Sequence, residues 1–487
     1  MNNISVSDRT TTGSLSRVET RSIDYVPTSE RGGRFWDQAT VWFAGSAQLL
    51  TLATGAIGIA LGLNLAWTLI GLAIGTILGT IPVSAHATQG PHLGLPQMIQ
   101  SRPQFGRYGA LIIWAMAIIV YWGYIVLGGN LLGATGAELT GVSAPIGAVV
   151  VCLVAIALAI FGYHWLHVAQ RVTTVFLVVV IVIYVVGLSV AGAIPAELFD
   201  LTQSFDLGAF MVVVVAATGY QLTWAFFVSD YSRYMPRETG RGAIISVTSL
   251  GLFFGLFSFM AIGAICAAIL PEVGIIAALH ETGDQVFPGL GVLMLVAGGL
   301  GLLGLMGMCV YGGSLTLITA IDSIRSVRPT RRIRIVTILI IGLTATVAAA
   351  LVPEDFLNNN LAIVLFVVGY FMAPWSAINL SDFFVVRRGR YSIAEMFRRD
   401  GVYGLWNWRG IVTYIVTLAA MVPFMNLGFY VGPVAEMLGG VDIAFFVGIP
   451  VGWALYWLLC LSQDITGELE SIKDADLHIE ENARPIE

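Results

Sequence analysis

The chain has 487 residues, 57% of them hydrophobic and only 11% charged, where soluble domains carry roughly 25% charged residues. Its mean hydropathy is +0.84, and 55 residues are glycine. A soluble globular protein is excluded, and an integral membrane protein remains. The formal net charge of −6 sits between the apolar runs, so no basic face is offered and no nucleic-acid partner is expected.

The first 37 residues are polar, which predicts an N-terminal tail over 1–37 and no cleavable signal peptide. Beyond them come continuous apolar runs, such as AVVVCLVAIALAIFG at 148–162. A helix needs about 20 apolar residues to cross the bilayer. Barrel strands alternate over about 10 residues, so runs of this kind exclude a closed β-barrel. Apolar runs between charged or Pro/Gly breaks predict about twelve helices. They fall near 38–63, 65–88, 107–136, 144–162, 169–194, 208–232, 243–270, 289–322, 334–352, 359–386, 409–430 and 440–461. The fold class is therefore all-α transmembrane, with the lipid bilayer as its principal surroundings.

The connecting segments alternate in charge. One set carries Arg102 and Arg107, His164 with His167 and Arg171, Arg233 with Arg237 and Arg241, then arginines over 325–334 and 387–399. The other carries Glu138, Glu197 with Asp200 and Asp206, Glu272 with Glu281 and Asp284, Glu354 with Asp355, and Glu436. Short cytoplasmic loops hold the Lys/Arg excess, so both termini are expected inside a cytoplasmic, plasma-type membrane. Cys152, Cys266, Cys309 and Cys460 all fall in apolar segments, where a free thiol behaves as a small hydrophobe. The spans hold no paired acids or histidine clusters, so no catalytic residue, metal site or cofactor is expected and transport is the predicted activity. A membrane sensor that binds without transporting is the alternative class.

Two spans are interrupted by polar residues. In the first, Gly45, Ser46, Gln48, Thr51, Thr54 and Gly55 break the apolar pattern. In the sixth, Thr218, Gly219, Tyr220, Gln221, Thr223 and Trp224 do so. Spans one and six correspond if the core is two five-helix repeats of opposite topology, and discontinuous helices of that kind hold substrate near the midplane. A buried glutamine amide offers both donor and acceptor, which suits the edge of a planar heterocycle. Aromatic rings supply stacking; the candidates are Tyr121, Trp122 and Tyr124 in span three and Tyr220 and Trp224 in span six.

Five stretches carry a family likeness: IDYVPTSER at 23–31, WFAGSAQ at 42–48, GPHLGLPQMIQSRPQFGRYG at 90–109, SDYSRYMP at 229–236 and APWSAINLSDFFVVRRGRY at 373–391. In order and combination the chain resembles the nucleobase:cation symporter family of purine-cytosine permeases and hydantoin carriers. The resemblance implies a LeuT-like 5+5 inverted repeat, with repeats over 38–194 and 208–386, two peripheral helices over 409–461 and a cytoplasmic tail over 462–487. It also implies alternating access for a nucleobase-like heterocycle, no obligate protein partner and, as alternative cargo, allantoin, hydantoin or a vitamin-precursor pyrimidine.

Carried over by position, the resemblance assigns substrate contacts to Gln48 and Tyr124, with Trp122 two positions from the latter. The span-six stacking position falls on Gln221, with Tyr220 beside it and Trp224 one turn on. A span-eight polar contact falls on Ser314. Sodium-coupled members use span-one carbonyls, here those of Ala44 and Ala47, and two span-eight hydroxyls, whose positions fall on Met308 and Cys309. A hard cation wants oxygen ligands, so a proton is the expected coupling ion and sodium the alternative. Tyr370 and Phe371 are gate candidates. Asp230, Asp322 and Asp382 are expected to pair with Arg233, Arg325 and Arg387, and His86 and His92 to lie in a solvated loop.

Overall fold

The computed structural model describes residues 21–327, 330–472 and 479, apart from the side chains of 354–366 and 368. Among the described residues nine spans are long and apolar enough to cross a membrane, when one bent pair counts as a single span. Two shorter apolar helices, Trp408–Phe424 and Ala444–Cys460, and the helix Glu354–Ser381 complete the twelve. The architecture is all-helical, and valines along span five, such as Val172, Val175 and Val182, face outward as a lipid-contacting surface must.

Span one is the bent pair: Trp36–Ser46 and Leu49–Ala60 meet at 63°. Ala47 and Gln48 leave the helical region, with Gln48 extended at φ −157° and ψ 165°. The break is stabilised from within, because Gln48 Oε1 accepts from Leu50 N at 2.7 Å and Thr51 Oγ1 donates to Gln48 O at 2.6 Å. These bonds replace helix bonds that apolar surroundings would otherwise leave unmade. Span six runs as Leu207–Leu222, tightens into the 3-10 turn Thr223–Phe226 and resumes as Val228–Ser232.

Span two, Leu65–Ala87, packs on span six, and span seven, Arg241–Ile269, packs on both halves of span one. Glycine makes the second contact possible. A Cβ at Gly55 would lie 1.9 Å from the Met260 carbonyl, and one at Gly263 would lie 2.1 Å from the Leu52 carbonyl. Backbones this close tolerate no side chain between them. Span three, Ala110–Thr140, packs on span four, Ala144–Phe161, and on span eight, Leu290–Ile324. Span ten packs on span twelve.

Several expected boundaries shift. Span five is Tyr163–Val190 rather than 169–194, because Gly162 at φ +81° turns the chain directly from span four into span five. His167 and Arg171 are thus helical, not loop, residues. Span eleven ends at Met421, short of the expected 430, where Pro423 opens a 3-10 turn. A further helix, Ile275–Val286, covers one end of the bundle between spans seven and eight. The expected tail is packed from residue 21 onward: Ile23 and Val26 are buried. Val26 N donates to Gly94 O at 2.9 Å, Arg31 Nη1 to Pro91 O at 2.6 Å and Arg233 Nη1 to Ser22 O at 2.6 Å. Residues 1–20 and most of 473–487 lie outside the described residues.

Candidate functional site

The breaks of spans one and six face each other. Gln48 Nε2 donates to the Tyr220 hydroxyl. The Tyr124 hydroxyl shares a 3.1 Å hydrogen bond with Thr223 Oγ1, and the Tyr124 and Tyr220 rings meet edge to face at 6.0 Å. Three spans thereby place an amide, two phenols and a threonine hydroxyl in one buried group. The span-one break decides this geometry, because an extended Gln48 caps the helix that follows with its oxygen and leaves its nitrogen for Tyr220. Both aromatic faces and alternating donors and acceptors are offered, which is what a planar polar ring needs.

A cavity of about 370 Å³ opens next to this group. Leu49 and Leu50 of span one, Leu127, Asn130 and Glu138 of span three and Ile275 of the covering helix line it. Leu49 and Leu50 directly follow Gln48, and they stand between the cavity and the polar group, none of whose four residues lines it. At the other end, where residues 21 and 472 lie, polar contacts close the bundle. Arg102 and Arg107 hold Asp322 at 2.8 and 3.3 Å. Gln104 Nε2 donates to Asp382 at 2.5 Å, and Arg387 joins Asp382 to Glu468.

The other expected site residues are dispersed. Trp224 sits on Trp42 at 5.8 Å and Phe227 at 5.5 Å, and its buried Nε1 has no hydrogen-bond partner. Gln221 faces span two: its Nε2 donates to Thr80 Oγ1 at 2.7 Å, and a Cβ at Gly79 would touch the Gln221 Cβ at 2.5 Å. Ser314 bonds Thr337 of span nine at 2.8 Å, away from Gln48. Tyr370 donates to Asp442 ahead of span twelve, and Phe371 is partly buried against the main core. Tyr121 reaches the Phe226 carbonyl at 3.1 Å, and Trp122 reaches Thr344 at 3.3 Å.

At the ion-site positions, the Ala47 and Ala44 carbonyls lie 2.3 and 3.0 Å from where a Gly301 Cβ would be, so span one meets span eight there. Met308 Sδ accepts from Gln170 Nε2 of span five at 3.1 Å, and Cys309 is buried. Gln170 Oε1 is buried with no partner. Sequence reasoning passed over Gln170 because span five was expected to begin beside it; an uncharged amide well inside an apolar helix was the available signal. Among the described residues no group of three His, Cys, Asp or Glu side chains gathers to hold a metal.

Two local expectations are corrected. His86 is not solvated: it is fully buried, stacked on Trp375 at 4.9 Å and bonded to Ser376 at 2.9 Å. Its Nδ1 meets Gln89 and Gln97 nearby in the chain, but Trp375 and Ser376 lie in span ten, far along the chain, so local sequence did not reveal them. Asp322 pairs with Arg102 and Arg107 rather than with Arg325, because the turn after span two folds back under span eight. Asp382 does pair with Arg387.

Residues 25–448 match the family model of permeases for cytosine/purines, uracil, thiamine and allantoin. The chain belongs to that family. This permease is 32% identical over 451 residues to the putative purine-cytosine permease YxlA of Bacillus subtilis, covering 91% of this chain and 96% of that one. It is 25% identical to the purine-cytosine permease FCY2 of Saccharomyces cerevisiae, covering 91% of this chain and 85% of that one. Among solved structures it superposes on Mhp1, a nucleobase-cation-symport-1 family transporter, in a closed conformation with bromovinylhydantoin bound. The TM-score is 0.75 at 16% identity, over 96% of this chain and 100% of that chain. A Na+-coupled sialic acid symporter has the same fold at TM-score 0.60 and 12% identity, over 91% of this chain and 93% of that chain. The permease therefore has the LeuT-like 5+5 inverted-repeat fold with two peripheral helices, and it is a multi-pass membrane transporter rather than an enzyme.

Proposed function

We propose that this permease imports a nucleobase of the purine or cytosine type by alternating access, with the end where residues 21 and 472 lie facing the cytoplasm. The supporting observation is the group formed by Gln48, Tyr220, Tyr124 and Thr223 at two facing helix breaks, beside a cavity. The Gln48 amide bonds the ring edge in exchange for its bond to Tyr220, and Tyr124 and Tyr220 pack on the ring. Trp224 supplies a donor through its unspent Nε1. Gln221 and Ser314 act from behind, by fixing spans two and nine. The arginine-rich loops place that end inside, so the cavity faces outward and the polar contacts around Asp322 and Asp382 close the inner side. In this reading 38–194 and 208–386 are the two repeats.

A proton is the proposed coupling ion. Sodium needs oxygen ligands, yet the span-eight positions offer a thioether and a thiol, and Met308 is already bonded to Gln170. The test is uptake of labelled cytosine, adenine, hypoxanthine, allantoin and a hydantoin into liposomes holding the purified protein, driven by a pH gradient or a sodium gradient. Accumulation of cytosine or a purine under the pH gradient alone is expected. Accumulation only of allantoin or the hydantoin overturns the substrate class, and a requirement for sodium overturns the ion.

A further inference from the structure

Span ten carries a polar contact that substrate binding does not use. The Tyr370 hydroxyl donates to the Asp442 carboxylate. That carboxylate also accepts from Asn426 N at 2.7 Å and Ala444 N at 2.9 Å, and Asp442 is only 2% exposed. The three donors belong to span ten, the turn after span eleven and the first turn of span twelve. One carboxylate thus ties the peripheral pair of helices to the core.

The contact continues inward. The Tyr370 ring lies 5.3 Å from Phe445 of span twelve. A Cβ at the neighbouring Gly369 would lie 2.4 Å from the Phe445 ring and 3.5 Å from the Gly219 Cα. Gly219 precedes Tyr220, whose hydroxyl is bonded to Gln48. Displacement of Tyr370 is therefore felt at the substrate group through the close approach of Gly369 to Gly219.

We infer that Asp442 is a positioning residue for span ten: ionised, it holds Tyr370 against the peripheral pair, and on taking a proton from outside it releases Tyr370 and Gly369 to shift against Gly219. Among the described residues, the groups acting on this carboxylate are the Tyr370 hydroxyl and the two main-chain N–H groups. Glu436 of the same loop is exposed, and Tyr430 bonds the Val422 carbonyl at 3.3 Å instead. Burial outweighs the three donors and holds the Asp442 carboxyl above the usual carboxylate range. The hold is therefore complete at higher pH and is lost as pH falls through that raised value.

The inference rests on the import reading for its direction, so the experiment uses two readouts. The full chain in liposomes, as wild type, Asp442→Asn, Asp442→Glu and Tyr370→Phe, is assayed for nucleobase uptake between about pH 5 and about pH 8. In parallel, Ala53→Cys on the cavity wall is labelled from outside with a membrane-impermeant thiol reagent in each background; the native cysteines are all buried. Wild-type KM, and the labelling rate taken relative to a free thiol at the same pH because only the thiolate reacts, are expected to change about tenfold across the range. Asp442→Asn and Tyr370→Phe are expected to flatten both profiles, and Asp442→Glu to restore a slope. Wild-type slopes in Asp442→Asn and Tyr370→Phe overturn the inference; where Asp442→Asn fails to fold, Tyr370→Phe decides. If the wild type takes up no nucleobase, the substrate reading fails while the labelling profiles still decide the role of Asp442.

Discussion

Spans one and six carry similar words, SAQLLT and GYQLTW, yet their glutamines end in different places. In span one the chain leaves the helix at Ala47 and Gln48 and restarts at 63°. Gln48 thus stands at the break, caps the next helix with its oxygen and presents its nitrogen to Tyr220. In span six the helix continues through Leu222 and distorts only at Thr223–Phe227. Gln221 therefore remains on a helical face that points at Thr80. Backbone conformation, rather than residue type, decides which amide a substrate meets.

The comparison is broken most severely at the seam that holds the span-one break in place. Gly301→Val sets a branched side chain against the Ala47 carbonyl, 2.3 Å from the first added carbon. The expected result is a loss of more than about 2 kcal/mol of stability, seen as a lowered melting temperature in detergent, together with loss of binding. Tyr220→Phe is the next smaller effect: it keeps the ring but removes the hydroxyl that competes with the base for the Gln48 amide, and affinity for the transported base should rise about tenfold. Trp224→Phe keeps the packing on Trp42 and removes the unspent donor, so a loss of about threefold to tenfold is expected by equilibrium binding. Gln221→Ala should leave affinity within about twofold and instead lower stability by about 1 kcal/mol, because Thr80 loses its bonding partner in span two.

Much of the architecture was legible in the sequence because a spanning helix must be apolar over its length. The expected spans 65–88 and 144–162 fall on Leu65–Ala87 and Ala144–Phe161. Span five was misplaced where His164, His167 and Arg171 mimic a loop, although Gly162 had already turned the chain. The span-one break was legible because Gly45, Ser46 and Gln48 interrupt a helix that lipid would otherwise keep regular. What was not legible are the partners. His86 finds Ser376, Asp322 finds Arg102, Met308 finds Gln170 and Tyr370 finds Asp442. Each pair joins segments far apart in the chain, and a polar residue read locally gives no sign of whether water or a distant side chain satisfies it.

The most direct test of the central claim is an equilibrium binding titration of the transported base against Gln48→Ala and Gln221→Ala side by side, with melting temperature recorded for both. A weakening of about 10- to 100-fold confined to Gln48→Ala, with its fold retained, is the predicted result. Unchanged affinity in Gln48→Ala, or an equal loss in Gln221→Ala at unchanged stability, would contradict the assignment of the substrate edge to the span-one break.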